Sequence, residues 1–197
     1  MPFKTILSIT ATLLTFVAFY PYILSIYQGK VKPHVFSWII WGATTVIVFF
    51  AQYEAKGGVG AIPIGISGVI TLCIAYLSYL KSDDIIITKL DWIFLLIAFS
   101  SLPFWYFSSN PLTAVIILTT VDLAGFGPTI RKAYYQPLEE NIGFFSLFAF
   151  RNGLVVMAME TVSITTVLFP VAIGLACVLL IVLLLIRRSK LNQKASD

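Results

Sequence analysis

The stretch Ala18-Phe19-Tyr20-Pro21-Tyr22-Ile23-Leu24-Ser25-Ile26-Tyr27 has a counterpart in Gly125-Phe126-Gly127-Pro128-Thr129-Ile130-Arg131-Lys132-Ala133-Tyr134. Pro21 aligns with Pro128 and Tyr27 with Tyr134, both 107 residues apart. The next apolar segments open with Phe36-Ser37-Trp38 and Phe145-Ser146-Leu147, at an offset of 109, and the segments after those with Ile62-Pro63 and Phe169-Pro170, again at 107. Two prolines at one offset, with an aromatic-Ser pair between them, mark an internal repeat of three segments. One further apolar segment, 91–108, lies between the two copies. A single linker reverses the chain, so both triplets run the same way. That is a parallel repeat related by an axis along the membrane normal.

Composition makes the surrounding solvent lipid. Of 197 residues, 59% are hydrophobic and 11% charged, and the mean hydropathy is +0.95. A soluble domain carries roughly 25% charged residues, so these few could not clothe a water-soluble globule. A span needs about 20 apolar residues, and seven segments can be read: 3–27, 35–53, 61–80, 91–108, 111–130, 143–162 and 165–186. They are too long and too poorly alternating for barrel strands, and helices satisfy their own backbone groups in lipid. The predicted fold is therefore an all-α integral membrane protein with seven transmembrane helices in a 3+1+3 order. Residues 1–82 form the first triple-helix bundle, 83–110 the linker helix, 111–187 the second bundle and 188–197 a basic tail. The run 6–19 is not followed by a small-x-small cleavage site, so it is read as a helix rather than a signal peptide.

Counting Lys and Arg orients the chain. Lys4 and Lys56 fall on the side of the N-terminus, whereas Lys30, Lys32, Lys81, Lys89, Arg131, Lys132, Arg187, Arg188, Lys190 and Lys194 fall on the other. The excess predicts an N-terminus outside, a cytoplasmic C-terminus and a multi-pass protein of the plasma (inner) membrane. The basic tail reads as a topology signal.

The layout resembles the SWEET and PQ-loop superfamily over nearly the whole chain. The resemblance rests on the 3+1+3 order, the outside N-terminus, and a proline near the cytoplasmic end of the first and fifth helices. A short basic loop and an aromatic-Ser helix start follow each proline. Pro21-Tyr22 and Pro128-Thr129 stand where the family carries Pro-Gln, so this is a divergent member. The resemblance implies transport of a small solute by rocking of two triple-helix bundles about a central pocket. Sugar facilitators of the family place an Asn on the third and seventh helices of that pocket. Here the third helix offers Ser67 and Thr71 at mid-depth, and residues 168–186 offer only Cys177. Relatives often assemble, which leaves a homo-oligomer open.

Several residues are candidates for the site. Asp122 lies roughly 13 Å from the end of its helix at Arg131, and Arg151 roughly 12 Å from the start of its own at Gly143, by helix rise. A charge at such depth costs at least about 2.5 kcal/mol and faces a partner or a cavity. Asp122, Arg151 and Asn152 are read either as a solute-binding or proton-sensitive group or as a structural ion pair. Thr15 stands opposite Asp122 in the repeat, and Gly42 or Ala43 opposite Arg151. Trp41, three residues from Trp38 and so on one face, offers an aromatic platform, with Phe150 as its counterpart. Pro21 and Pro128 are predicted hinges, because proline removes a helix donor. Glu54 and Glu160, 106 apart, end two helices on the outer side. Gly65, Gly68 and Gly174 allow close helix contacts.

Other chemistry has little to build on. His34 is the only histidine and lies in a loop, so no histidine metal site or nucleophile set is available. Cys73 and Cys177 both lie in apolar spans and read as small buried hydrophobes. No cofactor, metal or nucleic-acid motif is present, and the chain is not read as an enzyme. The expected function is transport of a small polar solute, sugar-like or another small metabolite, by alternating access. The alternatives are a proton-linked amino-acid or vitamin carrier of the same fold, and a non-transporting membrane scaffold or receptor.

Overall fold

A computed structural model describes residues 2–29, 35–81, 89–135, 137–138 and 140–196. Lys30, Lys32 and His34 lie outside the described residues, as do the side chains of Pro128, Arg131 and Lys132. The described residues form seven α-helices and no strand: α1 (Pro2–Tyr27), α2 (Val35–Glu54), α3 (Ile62–Lys81), α4 (Lys89–Ser108), α5 (Pro111–Tyr135), α6 (Ile142–Ala158) and α7 (Ile164–Ser196). A short 3-10 turn, Gly58–Ala61, precedes α3. Four of these elements are long and apolar enough to cross a membrane: Pro2–Tyr27, Val35–Glu54, Gly58–Lys81 and Ile164–Leu191. Shorter apolar stretches occupy Leu95–Ser108, Pro111–Gly127 and Ile142–Ala158. Large apolar side chains cover the outward faces; Phe3, Ile6, Ile9, Leu13 and Phe16 line one side of α1, all more than half exposed. Such a continuous apolar face is what a membrane-embedded protein presents, and the chain is compatible with a multi-pass membrane protein.

Local chemistry explains the helix starts. Pro111 opens α5, where its missing N–H has no helical acceptor to lose, and Asn110 Oδ1 accepts from the Leu112 N–H at 3.0 Å. Asn141 caps α6 by accepting from the Phe144 N–H at 3.2 Å. Ser163 and Thr166 cap α7 reciprocally: the Thr166 N–H donates to Ser163 Oγ at 3.3 Å, and the Ser163 N–H to Thr166 Oγ1 at 2.9 Å. This is the logic of a capping box.

The helix ends differ from the sequence reading at three places, the first being α5, which was expected to end at 130 and runs to Tyr135. The sixth segment was expected to run to 162, but α6 stops at Ala158, where Met159 turns to ψ 129°. The chain is drawn off there by backbone pairing: the Glu160 N–H donates to Gly57 O at 3.0 Å and the Thr161 N–H to Lys56 O at 3.2 Å. The seventh segment was expected to end near Ile186 with a separate tail at 188–197, but α7 continues to Ser196. The Arg187 Nε–H donates to Tyr134 O and the Arg188 Nε–H to Pro137 O, both at 2.9 Å.

One interior proline, Pro170, is compensated by a side chain from another helix. Pro170 has no N–H for the carbonyl of Thr166, four residues back. The Gln52 amide of α2 donates to that carbonyl at 2.9 Å. Pro63 stands in the first turn of α3, where the Val59 carbonyl accepts from the Ile62 N–H within the 3-10 turn and also from the Ser8 hydroxyl of α1 at 2.6 Å. Val59 and Thr166 are themselves 107 residues apart. An orphaned carbonyl in an apolar interior is costly, so the donor that Pro170 lacks is supplied by Gln52 from another helix. The backbone of α1 runs unbroken through Pro21.

Packing follows a simple order. α3 lies between α1 and α2, and α7 lies between α5 and α6. The two groups meet along two seams, α1 against α6 and α2 against α5, while α4 packs on α5 and α2. Lys4 Nζ donates to Met159 O at 2.7 Å, so the start of α1 and the end of α6 share one end of the molecule. We call it the Lys4 end and its opposite the Tyr27 end.

Candidate functional site

The polar centre of the molecule lies on the two seams. On the α1/α6 seam, Arg151 is 4% exposed and Asn152 1%. The Arg151 Nε–H donates to the Thr15 hydroxyl at 3.0 Å, one terminal nitrogen to Pro63 O at 2.6 Å, and the other to Asn152 Oδ1 at 3.2 Å. Asn152 spends its amide on Phe148 O, one turn back, at 2.9 Å. On the α2/α5 seam, Asp122 is 8% exposed and accepts from the Thr44 hydroxyl at 2.7 Å.

The two charges therefore do not form the ion pair that their similar depth suggested. Depth along two helices does not fix direction around them, and Asp122 and Arg151 turn to different seams. The partners obey the repeat instead. Thr15 and Asp122 are 107 residues apart, and so are Thr44 and Arg151. Each seam thus carries one bond between a threonine of the first triplet and a charged residue of the second, at corresponding positions. Using the offset of 109 for the second and sixth helices put Gly42 opposite Arg151 and hid Thr44. The offset of 107 found at the prolines would have named it.

An aromatic layer lies on the Tyr27 side of these bonds. Tyr22 stacks on Trp38 with ring centroids 5.0 Å apart, and Trp38 meets Trp41 edge-on at 5.7 Å. Trp41 is half-buried, and its indole covers Gly125 of α5 so closely that a Cβ there would lie 2.5 Å from Nε1. On the other seam Phe148 meets Phe19 edge-on at 5.3 Å and Phe144 at 4.7 Å. The Arg151 guanidinium lies 5.9 Å from the Phe148 ring.

Phe150, expected as the aromatic counterpart of Trp41, is 62% exposed and faces away from the seam. Phe148 takes that place, being three residues before Arg151 and so on its face of the helix. Ser67 and Thr71 are buried, but the Thr71 hydroxyl donates to Ser67 O at 2.8 Å, a bond within α3. Trp38 turns inward onto Tyr22.

The Lys4 end is closed by backbone. Besides the pairing of residues 56 and 57 with 160 and 161, the Lys4 ammonium bonds Met159 O and, at 3.3 Å, Glu160 O. A Cβ on Gly60 would lie 2.5 Å from the Met159 nitrogen and 2.6 Å from its Cα, so two backbones touch here. Glycine is required by contact. A groove of about 270 Å³ between α1 and α3, lined by Ile9, Leu13, Val59 and Ile66 among others, is almost wholly apolar and lies apart from this centre.

No family model, curated protein or solved structure matches this chain.

Proposed function

We propose that the chain is a membrane carrier of 3+1+3 architecture, divergent within the SWEET and PQ-loop superfamily, that moves a small polar solute by alternating access. In this reading all seven helices span the membrane, and the Lys4 end is outside. The observation that carries it is the pair of equivalent bonds, Thr15 to Arg151 and Thr44 to Asp122, on the two seams between triplets. A rocking carrier needs two like units meeting across a polar centre, with closures on either side that open in turn. The contacts α1 with α6 and α2 with α5 exchange under the repeat, which supports the two-unit reading. The backbone latch at residues 56–60 and 159–161 would be the outer closure, and the aromatic layer the cytoplasmic one. Asp122, Arg151, Asn152 and Trp41 would face the solute, with Pro21 and Pro128 as hinges.

A scaffold or receptor with no transport is the second reading, favoured by the near-complete burial of Arg151 and Asn152 with partners. Reconstitution separates the two. Purified protein in liposomes should give saturable, protein-dependent flux and counterflow with at least one solute from a panel of sugars, amino acids, amides and organic acids. Absence of flux for the whole panel would replace the carrier with the scaffold. A proton-linked cycle would run through Asp122. Asp122→Asn keeps an acceptor for Thr44, and flux that remained driven by a pH gradient in this variant would remove Asp122 from that role.

A further inference from the structure

We infer that Arg151 is the anchor for an anionic oxygen group, a carboxylate or a phosphate, on the transported solute. This rests on the carrier reading above and names the chemistry of its central site. The argument begins from donor count. A guanidinium has five N–H donors in a planar fork. Here three are used, on Thr15 Oγ1, Pro63 O and Asn152 Oδ1. One donor on each terminal nitrogen has no acceptor among the described residues.

Charge gives the second step. All three acceptors are neutral, and Asp122 is held by Thr44 on the other seam, outside ion-pair distance. The Phe148 ring lies beside the guanidinium, 5.9 Å from it. A cation at this depth, bonded only to dipoles, is the arrangement that a buried anion relieves. Two leftover donors, one on each terminal nitrogen, suit two oxygens of one group, the fork-to-fork contact that arginine makes with carboxylate and phosphate.

Position gives the third. Thr15 belongs to the first triplet and Arg151 to the second, so the guanidinium already bridges the seam that must open and close. An anion arriving at the two unused donors would draw the guanidinium away from Thr15 Oγ1 and Pro63 O, the acceptors of the first triplet that it now holds. Binding would thereby be coupled to movement of α6 against α1. Asn152 orients the fork from one side, and Pro63 O holds it from the other.

The test is thermal stabilisation of the purified full chain in detergent, with lactate and its amide lactamide, and with inorganic phosphate, at constant ionic strength. Lactate, phosphate or both should raise the midpoint saturably, while lactamide, equal in size but uncharged, should not. Lactate alone assigns the site to carboxylates, and phosphate alone to phosphate esters. Arg151→Lys, which keeps the charge and loses the fork, should weaken binding about tenfold or more, and Arg151→Gln should abolish it. Because Arg151→Gln could fail to fold, Thr15→Val serves as a second variant. It keeps the charge and frees Nε, and should change lactate or phosphate affinity several-fold.

Equal stabilisation by lactate and lactamide, or none by either anion, overturns the inference. If neutral solutes still cross in the liposome assay, only the anion inference falls. If no solute crosses, the carrier reading falls with it.

Discussion

Replacing Gly60 by alanine should loosen the Lys4 end. The added Cβ would lie 2.5 Å from the Met159 nitrogen, 2.6 Å from its Cα and 2.7 Å from the Ala158 carbonyl carbon. Ordinary carbon contacts are about 3.5–4.0 Å, so the 3-10 turn and the end of α6 must part by about 1 Å. Neither side can yield by rotating a side chain, because the obstructing atoms are backbone. The pairing of Glu160 N–H with Gly57 O and of Thr161 N–H with Lys56 O starts at 3.0 and 3.2 Å. A 1 Å separation takes both to about 4 Å, beyond hydrogen-bond range. Overpacking of this kind costs about 1–3 kcal/mol, which shifts a latch equilibrium by roughly 5–150-fold. In a carrier that shift favours the outward-open form. The assay is labelling of Ser67→Cys by a membrane-impermeant maleimide, in a Cys73→Ala background that removes the exposed native thiol. Gly60→Ala should raise the labelling rate several-fold and lower the thermal midpoint. Unchanged labelling together with an unchanged midpoint would refute the latch.

Three further outcomes are expected. Thr15→Val and Thr44→Val each remove one bond to a buried charge, and should each destabilise by about 0.6–1.7 kcal/mol, the range for polar contacts in membrane bundles. They lie on separate seams, so the double variant should be additive within error in reversible unfolding measurements. Gln52→Leu should cost about 1–3 kcal/mol, because it strands the Thr166 carbonyl that Pro170 cannot serve. In a Pro170→Ala background the helix supplies its own donor, and the same change should cost far less; an equal cost in both backgrounds would dismiss the compensation. Phe148→Ala should destabilise by about 1–3 kcal/mol through loss of a half-buried ring that packs on the core, whereas Phe150→Ala should stay within about 0.5 kcal/mol, as thermal midpoints in one detergent would show.

What the sequence made legible was governed by length and hydropathy. The seven helices fall where the apolar runs 3–27 to 165–186 lie, and four of them are long and apolar enough to cross a membrane. The interior ends were less legible. α6 stops four residues short of 162 because residues 160 and 161 pair with a loop 103 and 105 positions earlier in the chain, a tertiary cause with no local mark. α7 outlasts its apolar run because residues 187–196 (Arg, Lys, Leu, Gln and Ala among them) are good helix formers; hydropathy ends there and propensity does not. The site was legible in depth and not in direction. Asp122 and Arg151 were identifiable as buried charges, but their azimuth depends on packing. Phe148 and Phe150 differ by two positions, about 200° around a helix, and spacing from Arg151 already favoured the former.

The separation of the two charges bears on mechanism. Asp122 and Arg151 sit on corresponding seams of one polar centre and do not form a buried pair with each other. A buried pair of that kind costs about 3–5 kcal/mol to break by loss of a partner, and would fasten α5 to α6 within one unit rather than link the two. Instead each charge bonds a threonine of the opposite unit, a contact worth about 0.6 kcal/mol on average in a membrane bundle. In the carrier reading, two weak bonds across the seams would open and re-form in each cycle without ever exposing a bare pair of opposite charges. A scaffold selected for rigidity gains nothing from that arrangement, whereas a carrier gains a centre that holds its charges ready for a ligand and still lets its halves rock.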